Sequence, residues 1–448
     1  MKKPASRNVR GRSPACSVCK SLGHRIEKCP HPAAKEILKL RKENSVLKKQ
    51  SKRKVLRQEK KWRKAPKLDK EYRKKASALY KGKPAARLPS PAEIRRKQKH
   101  ALDVSLNLPT TENTAASWLL DRQWIRSPTV CSECDRHVFS DLVWSQDRPP
   151  HWRCKHCGVR VKIYDLSIFT GLRVSPCELV KLIGLYVSSN LAHYPSVPDF
   201  VQASTHGRSC VEHFLAALRM LESTAGKNFS QTCPLRGSVE VDGSFIAKFH
   251  MSANNLWHAD QIQKTNQSCQ RKGQRLPKSF VGHIMVLGAQ VRGNSSAAIY
   301  VPRPHVTAVE QRPVTETLAQ VEASGFLDRI TRRSVVNADG NKAWKSAAAS
   351  RGLPFQNVIH QVKNFTSDCP KVWPEVSTVA GTQTLDRSWR SLKTFLPKGT
   401  TVKQKIQGHS CMHPSVPQYM YMWAWRQSLG NVSPNEFLEH LEDLLPQD

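Results

Sequence analysis

The run SVEVDGSFIAKF, residues 238–249, constrains the fold more than any other stretch. Val239, Val241, Phe245 and Ile246 favour a strand, and alternation puts Glu240 and Asp242 on one face of it. Asp242 is expected at the end of a short strand, with Gly243 immediately after. Burying a carboxylate there costs several kcal/mol unless something positive meets it. A divalent cation such as magnesium, which takes hard oxygen ligands, is one solution. Capping a turn is the plainer alternative.

Two later stretches favour the cation. SVVNADGNKAW (334–344) is a second β-branched run that ends in Asp339 and a glycine, then starts a helix. GTQTLDRSWRSLKTFL (381–396) reads as a helix with Leu385, Trp389, Leu392 and Phe395 or Leu396 on one apolar face. Asp386 falls in its first turns beside that stripe, and Arg387, Arg390 and Lys393 crowd the other face. Two strand-end carboxylates and one helical carboxylate, in that order, suit a ribonuclease H-like phosphoryl-transfer site. Such a site holds two cations ~3.5–4 Å apart, which activate the attacking hydroxyl and stabilise the leaving one.

At these residues the chain resembles the Merlin-type DDE transposases and their bacterial insertion-sequence relatives. That family carries a VEVDE-like first motif, a (V/T)DG-W/Y second motif and an HTNxIEGxW-x-LK third motif. Here they read VEVDGSF, NADGNKAW and GTQTLDRSWRSLK. The resemblance spans residues 115 to 430 and implies an α/β, ribonuclease H-like core. It implies magnesium or manganese held by Asp242, Asp339 and Asp386, and DNA as partner, both as transposon ends and as target. It also implies strand cleavage followed by strand transfer. Gly381 stands where the family has His, Gln383 where it has Asn, and Asp386 where it has Glu. Beside the DDE transposase reading therefore stands a non-catalytic, zinc-dependent nucleic-acid-binding protein derived from a transposase.

Charge points the same way. Lys and Arg number 72 against 35 acidic residues, a formal +37. Residues 1–100 hold 34 basic and 7 acidic residues, or +27, which leaves +10 for the other 348. A basic arm on a milder body is the electrostatic footprint of a nucleic-acid binder, and a solubilising or targeting tail is the alternative. KKQSKRK (48–54) also suits nuclear import, hence a nuclear location in a eukaryote. No apolar run approaches the ~18 residues that span a bilayer, and the first residues lack the apolar core of a secretory signal.

Thirteen cysteines in such a chain argue for metal sites over disulfides. Cys16, Cys19, His24 and Cys29 have the C-x2-C-x4-H-x4-C spacing of a zinc knuckle, a binder of single-stranded nucleic acid or of protein. Flanking Lys20, Arg25 and Lys28 favour nucleic acid. Cys131, Cys134, Cys154 and Cys157 make C-x2-C-x19-C-x2-C, a zinc ribbon, whose role is structural, DNA-binding or both. The resembled family also carries a ribbon ahead of its catalytic core. Two structural zinc ions per chain follow.

The expected order is a knuckle (1–33), a basic helix or disordered arm with its linker (34–112), and the ribbon (113–170). A helical region (171–230), the catalytic core (231–430) and a C-terminal helix or tail (431–448) complete it. In the helical region, Val211, Phe214, Leu215, Leu218 and Leu221 recur at helical spacing. That region reads either as a helix-turn-helix for a DNA groove or as plain packing. Residues 252–278 read as a polar loop. A hairpin (SFVGHIMVLGAQV with SAAIYVPRP), a helix, the Asp339 strand and the Asp386 helix then follow in ribonuclease H-like order. His360 could orient a phosphate or water, or be an ordinary core or surface histidine, and Trp423 and Trp425 belong to a closing helix. Oligomerisation is compatible with all of this.

Overall fold

The computed structural model describes residues 108–446, apart from 146–147, 190–193, 196, 205, 310, 312–314, 358–366, 369–378, 381 and 398. The knuckle ligands Cys16, Cys19, His24 and Cys29, the basic arm and His360 lie outside the described residues. In chain order the elements are α1 (Glu112–Asp121), β1 (Val143–Ser145), β2 (Arg148–Arg153), β3 (Arg160–Lys162), α2 (Pro176–Val187), α3 (Val197–Ser204) and α4 (Arg208–Thr232). Then come β4 (Ser238–Ser252), α5 (Ala259–Arg271), β5 (Ser279–Val291), β6 (Ala297–Tyr300), β7 (His305–Ala308), α6 (Leu318–Ala323), β8 (Val335–Ala338), α7 (Lys342–Ser350) and β9 (Phe355–Asn357). The strands β10 (Ser367–Asp368) and β11 (Val379–Ala380), the helix α8 (Gln383–Phe395), β12 (Lys403–Ile406), β13 (His409–Met412), α9 (Ser415–Leu429) and α10 (Pro434–Glu442) complete it.

β4 is the spine of a mixed sheet with strand order β6-β5-β4-β8-β9, and β7 pairs with the far half of β5. It runs antiparallel to β5 from Val239↔Val291 to Ser252↔Ser279 and parallel to β8 from Ser238 to Glu240. The strand is therefore not short, and Asp242 lies within it rather than at its end. A bulge between Phe245 and Ala247 explains the difference. Before it, the even-numbered Glu240 and Asp242 face the side that α8 covers; beyond it, the odd-numbered Phe249 and Met251 fill the core on that side. One extra residue reverses the parity, so an alternation read from Val239 breaks at the bulge although the strand continues.

Helices cover both faces. On one, Val239, Val241, Leu287 and Val336 pack with Phe326 and with Trp344 and Ala347 of α7. On the other, Val286 and Ile299 meet Leu385, Trp389, Leu392 and Phe395 of α8 and Met420 and Trp423 of α9. That second core continues through α4 and α10 to α1, to Trp152 of the three-stranded sheet β1-β2-β3 and to Ile163 just after β3. Trp423 and Trp425 are both buried, so they pack. α10 belongs to the same core through Phe437, Leu438 and Leu441. Its Glu442 accepts from Arg122 at 2.9 Å and from the Trp124 indole at 3.2 Å.

α4 is a core helix, which fits the plain-packing alternative for the helical region. A Cβ on Gly226 would stand 1.8 Å from the Tyr421 carbonyl oxygen, so α4 and α9 cross backbone to backbone. Four residues earlier, Glu222 accepts from the Arg426 Nε at 2.7 Å and from the Tyr186 hydroxyl, all three buried. The expected loop 252–278 instead contains α5, which buries only Ile262 and Cys269, seven residues apart. Two apolar contacts in so polar a stretch leave little periodicity to read. No helix among the described residues is long and apolar enough to cross a membrane.

Candidate metal centre and carboxylate site

The four ribbon cysteines converge. Cys131–Asp135 and Cys154–Gly158 form matching turns: Asp135 donates its N–H to the Cys131 carbonyl and Gly158 to that of Cys154, each at 2.9 Å. The fifth residue of each turn needs a positive φ, 53° at Asp135 and 77° at Gly158, where glycine is favoured. All four Sγ atoms lie within 4.8 Å of one another, with Cys131–Cys157 at 3.5 Å and Cys134–Cys154 at 3.7 Å. Tetrahedral zinc with Zn–S bonds of about 2.3 Å has sulfur–sulfur edges of about 3.8 Å, so the set fits. Without metal, backbone N–H donors led by Cys157 hold the Cys154 thiol down to about 6, while burial pushes Cys134 up to about 12. The described cysteines form no disulfide. Four soft sulfur donors in a closed set select zinc over magnesium or calcium.

The carboxylate site is built where α8 crosses β4 and β5. Glu240 anchors the helix: its fully buried carboxylate accepts the N–H groups of Thr384 (2.8 Å) and Leu385 (2.9 Å), two donors that the first turn leaves without helical partners. Arg292 on the neighbouring strand end pairs with the other oxygen at 2.9 Å. One turn on, Ser388 donates to Gln290 at 2.8 Å. Trp389 packs so close to the sheet that a Cβ on Gly288 would come within 2.4 Å of its ring. From there the indole N–H reaches the Asp242 Oδ2 at 2.8 Å.

Asp242 is 9% exposed. Burial drives its pKa well above the ordinary carboxylate range, and the charges of Asp339, Glu316 and Asp386 push the same way against the Trp389 hydrogen bond. Asp339 is exposed at the end of β8, where the Asn341 N–H approaches its Oδ1 at 3.4 Å. Asp386, half-buried in the first turn of α8, receives the Thr382 hydroxyl at 3.5 Å. Thus all three expected carboxylates bear on one locus. They are not closed to the spacing of the cysteine set: among the described residues, the cysteines are the group of three or more metal-ligating side chains whose donor atoms all lie within 4.8 Å.

No family model, curated protein or solved structure matches this chain. The residues of the site therefore carry the functional reading. Sequence reasoning oriented Glu240 but assigned it no partner, and placed Trp389 on an apolar stripe without its bond to Asp242. It passed over Glu316 entirely. Glu240 and Trp389 were reachable through the alternation of β4; nothing local to Glu316 marks it.

Proposed function

We propose that this chain is a DDE-type DNA transposase, or a protein descended from one, with a ribonuclease H-like core. The observation that carries the reading is topological. The first motif aspartate lies in the central strand, the second follows the adjacent parallel strand, and the third rides the helix docked across the first. The order β6-β5-β4-β8-β9, with an antiparallel hairpin side and a parallel side, supports that core by analogy of fold, and the residues supply the chemistry.

Asp242, Asp339 and Asp386 would hold magnesium or manganese, and the donor set fits, being hard oxygens around a buried acid. The bound ions would supply activation of the attacking hydroxyl and stabilisation of the leaving one. Asp242 presents its second oxygen with the first fixed by Trp389. Glu240 and Arg292 fix the helix that carries Asp386. The exposed Arg387, Arg390 and Lys393 on the outer face of α8 would meet the DNA backbone, whose phosphates reward such charges. Zinc in the ribbon would be structural, the knuckle would add a second zinc, and the nucleus would be the site of action.

The binding-protein alternative draws on one observation: the three carboxylates stand apart, beyond the 4.8 Å mutual spacing of the cysteine set. A magnesium- or manganese-dependent nicking assay on supercoiled plasmid decides. Asp242→Asn and Asp339→Asn should each abolish nicking while DNA binding persists. Wild-type protein that binds DNA and never nicks would leave the binding reading standing.

A further inference from the structure

Residues 261–309 hold seven Lys and Arg and not one Asp or Glu. Arg292 has its partner in Glu240 and Arg303 stands apart before β7, so five gather on α5 and the turn after it. Lys264, Arg271, Lys272, Arg275 and Lys278 are all exposed, and none pairs with a carboxylate among the described residues. The first half of α5 docks on the sheet. The Gln261 Oε1 accepts the Val306 N–H at 2.8 Å and its Nε2 donates to the Pro304 carbonyl at 3.2 Å, which covers the free edge of β7. Ile262 enters the core beside it. The second half carries the charge. There the carbonyl of buried Cys269 accepts the N–H groups of Lys272 at 3.1 Å and Gln274 at 2.9 Å, and Gly273 takes a φ of 65°. The turn that bears the cations is therefore fixed by its backbone.

Packing does not call for this charge. The helix dipole favours cations in its last turn, which accounts for Arg271 and Lys272 but not for Arg275 and Lys278 beyond it. Like charges crowded without counter-charges repel one another, and a polyanion relieves that repulsion. Between the turn and β7 lies an open groove of about 690 Å3, into which Gln274, Arg275, Lys278, Ser279 and Gln311 bring N–H and O–H donors. We propose that the end of α5 and the turn 272–278 form a contact surface for the phosphate backbone of duplex DNA. No aromatic residue lies between Ala259 and Lys278, so the surface offers no platform on which single-stranded bases would stack. The exposed Trp257 stands at the other end of α5, about 20 Å away. Ser279 opens β5 and Gly288 of that strand pairs with Asp242, which sets the surface about 30 Å from the carboxylate site. The proposal rests on DNA as the partner and not on strand cleavage.

The test is binding of a fluorescent random-sequence duplex of about 30 base pairs to the zinc-loaded full-length chain, read by anisotropy across a salt series. Lys272→Gln, Arg275→Gln and Lys278→Gln combined should lower the slope of log affinity against log salt by about 3, at about 0.9 per lost phosphate contact, and weaken binding about tenfold or more. Lys227→Gln, Arg236→Gln and Arg332→Gln combined remove the same charge from exposed positions elsewhere and should leave the slope unchanged. Both triple variants should melt as wild type does, since every altered side chain is exposed. Equal slopes for the two triples, with metal-dependent nicking by wild type, would overturn the surface and leave the transposase reading standing. No duplex binding by wild type would overturn both. Loss of single-strand binding with duplex binding kept would overturn the duplex assignment. A second readout needs no variant: bound duplex should shield Lys272 and Lys278 of the wild type from acetylation while Lys227 reacts as before. Equal reactivity of Lys272 and Lys278 with and without DNA would overturn the proposal.

Discussion

Glu240→Ala should cost about 4 kcal/mol of stability, far more than a surface substitution. Deleting one partner of a buried ion pair costs about 3–5 kcal/mol because the other charge is stranded. Arg292 is 23% exposed, so it can rehydrate, and the lower end, about 3 kcal/mol, applies. Two amide donors at the start of α8 lose their acceptor as well, which adds about 1 kcal/mol after water refills part of the space. Glu240→Gln keeps an oxygen for both amides but breaks the pair with Arg292 as alanine does, so it should cost about 3 kcal/mol, roughly 1 kcal/mol less than alanine. Guanidinium unfolding followed by tryptophan fluorescence gives the totals, and hydrogen exchange at Thr384 and Leu385 localises them to the helix start. A loss below about 1 kcal/mol for Glu240→Ala, or equal losses for the two Glu240 variants, would refute the anchoring role.

Zinc stripped from the ribbon, or Cys154→Ser, should unfold β1–β3 and expose Trp152; elemental analysis finding no zinc in native protein would remove the site. Gly226→Ala should lower stability by about 3 kcal/mol, because the clashing Tyr421 atoms are backbone and cannot rotate away, whereas Gly207→Ala, with open space around it, should cost no more than the ~1 kcal/mol of a poorer N-cap. Equal melting temperatures for those two would mean a looser α4–α9 crossing. Deleting residues 1–100, which removes +27 of charge, should weaken DNA binding on all sequences alike and flatten its salt dependence; an unchanged salt slope would exclude the arm as the main contact.

Legibility in the sequence followed the range of each interaction. The ribbon was readable because its ligands sit in two short motifs, and α8 because Leu385, Trp389 and Leu392 repeat within one helix. The common face of Glu240 and Asp242 was readable from alternation alone. The length of β4 was not, since the bulge after Phe245 reverses that alternation without ending the strand. α5 was hidden by its polarity. The partner of Glu240 lies 144 residues downstream, and Glu316 is defined by Gly243 and Asn341, one far before it and one after. Contacts of that separation leave no trace in local pattern.

The crossing at Gly226 has a consequence during synthesis. Its counterpart, Tyr421, is 195 residues further along the chain. At about 5–20 residues per second, the ribosome needs roughly 10–40 s to supply α9 after α4 has emerged. Through that interval Glu222 waits without Arg426, and Val211, Phe214, Leu215 and Leu218 have yet to meet the C-terminal half of their core. The nascent chain therefore presents an apolar helix face with a charge in it for tens of seconds, a standing target for chaperones. Truncations that stop before α9 should accumulate on them rather than fold.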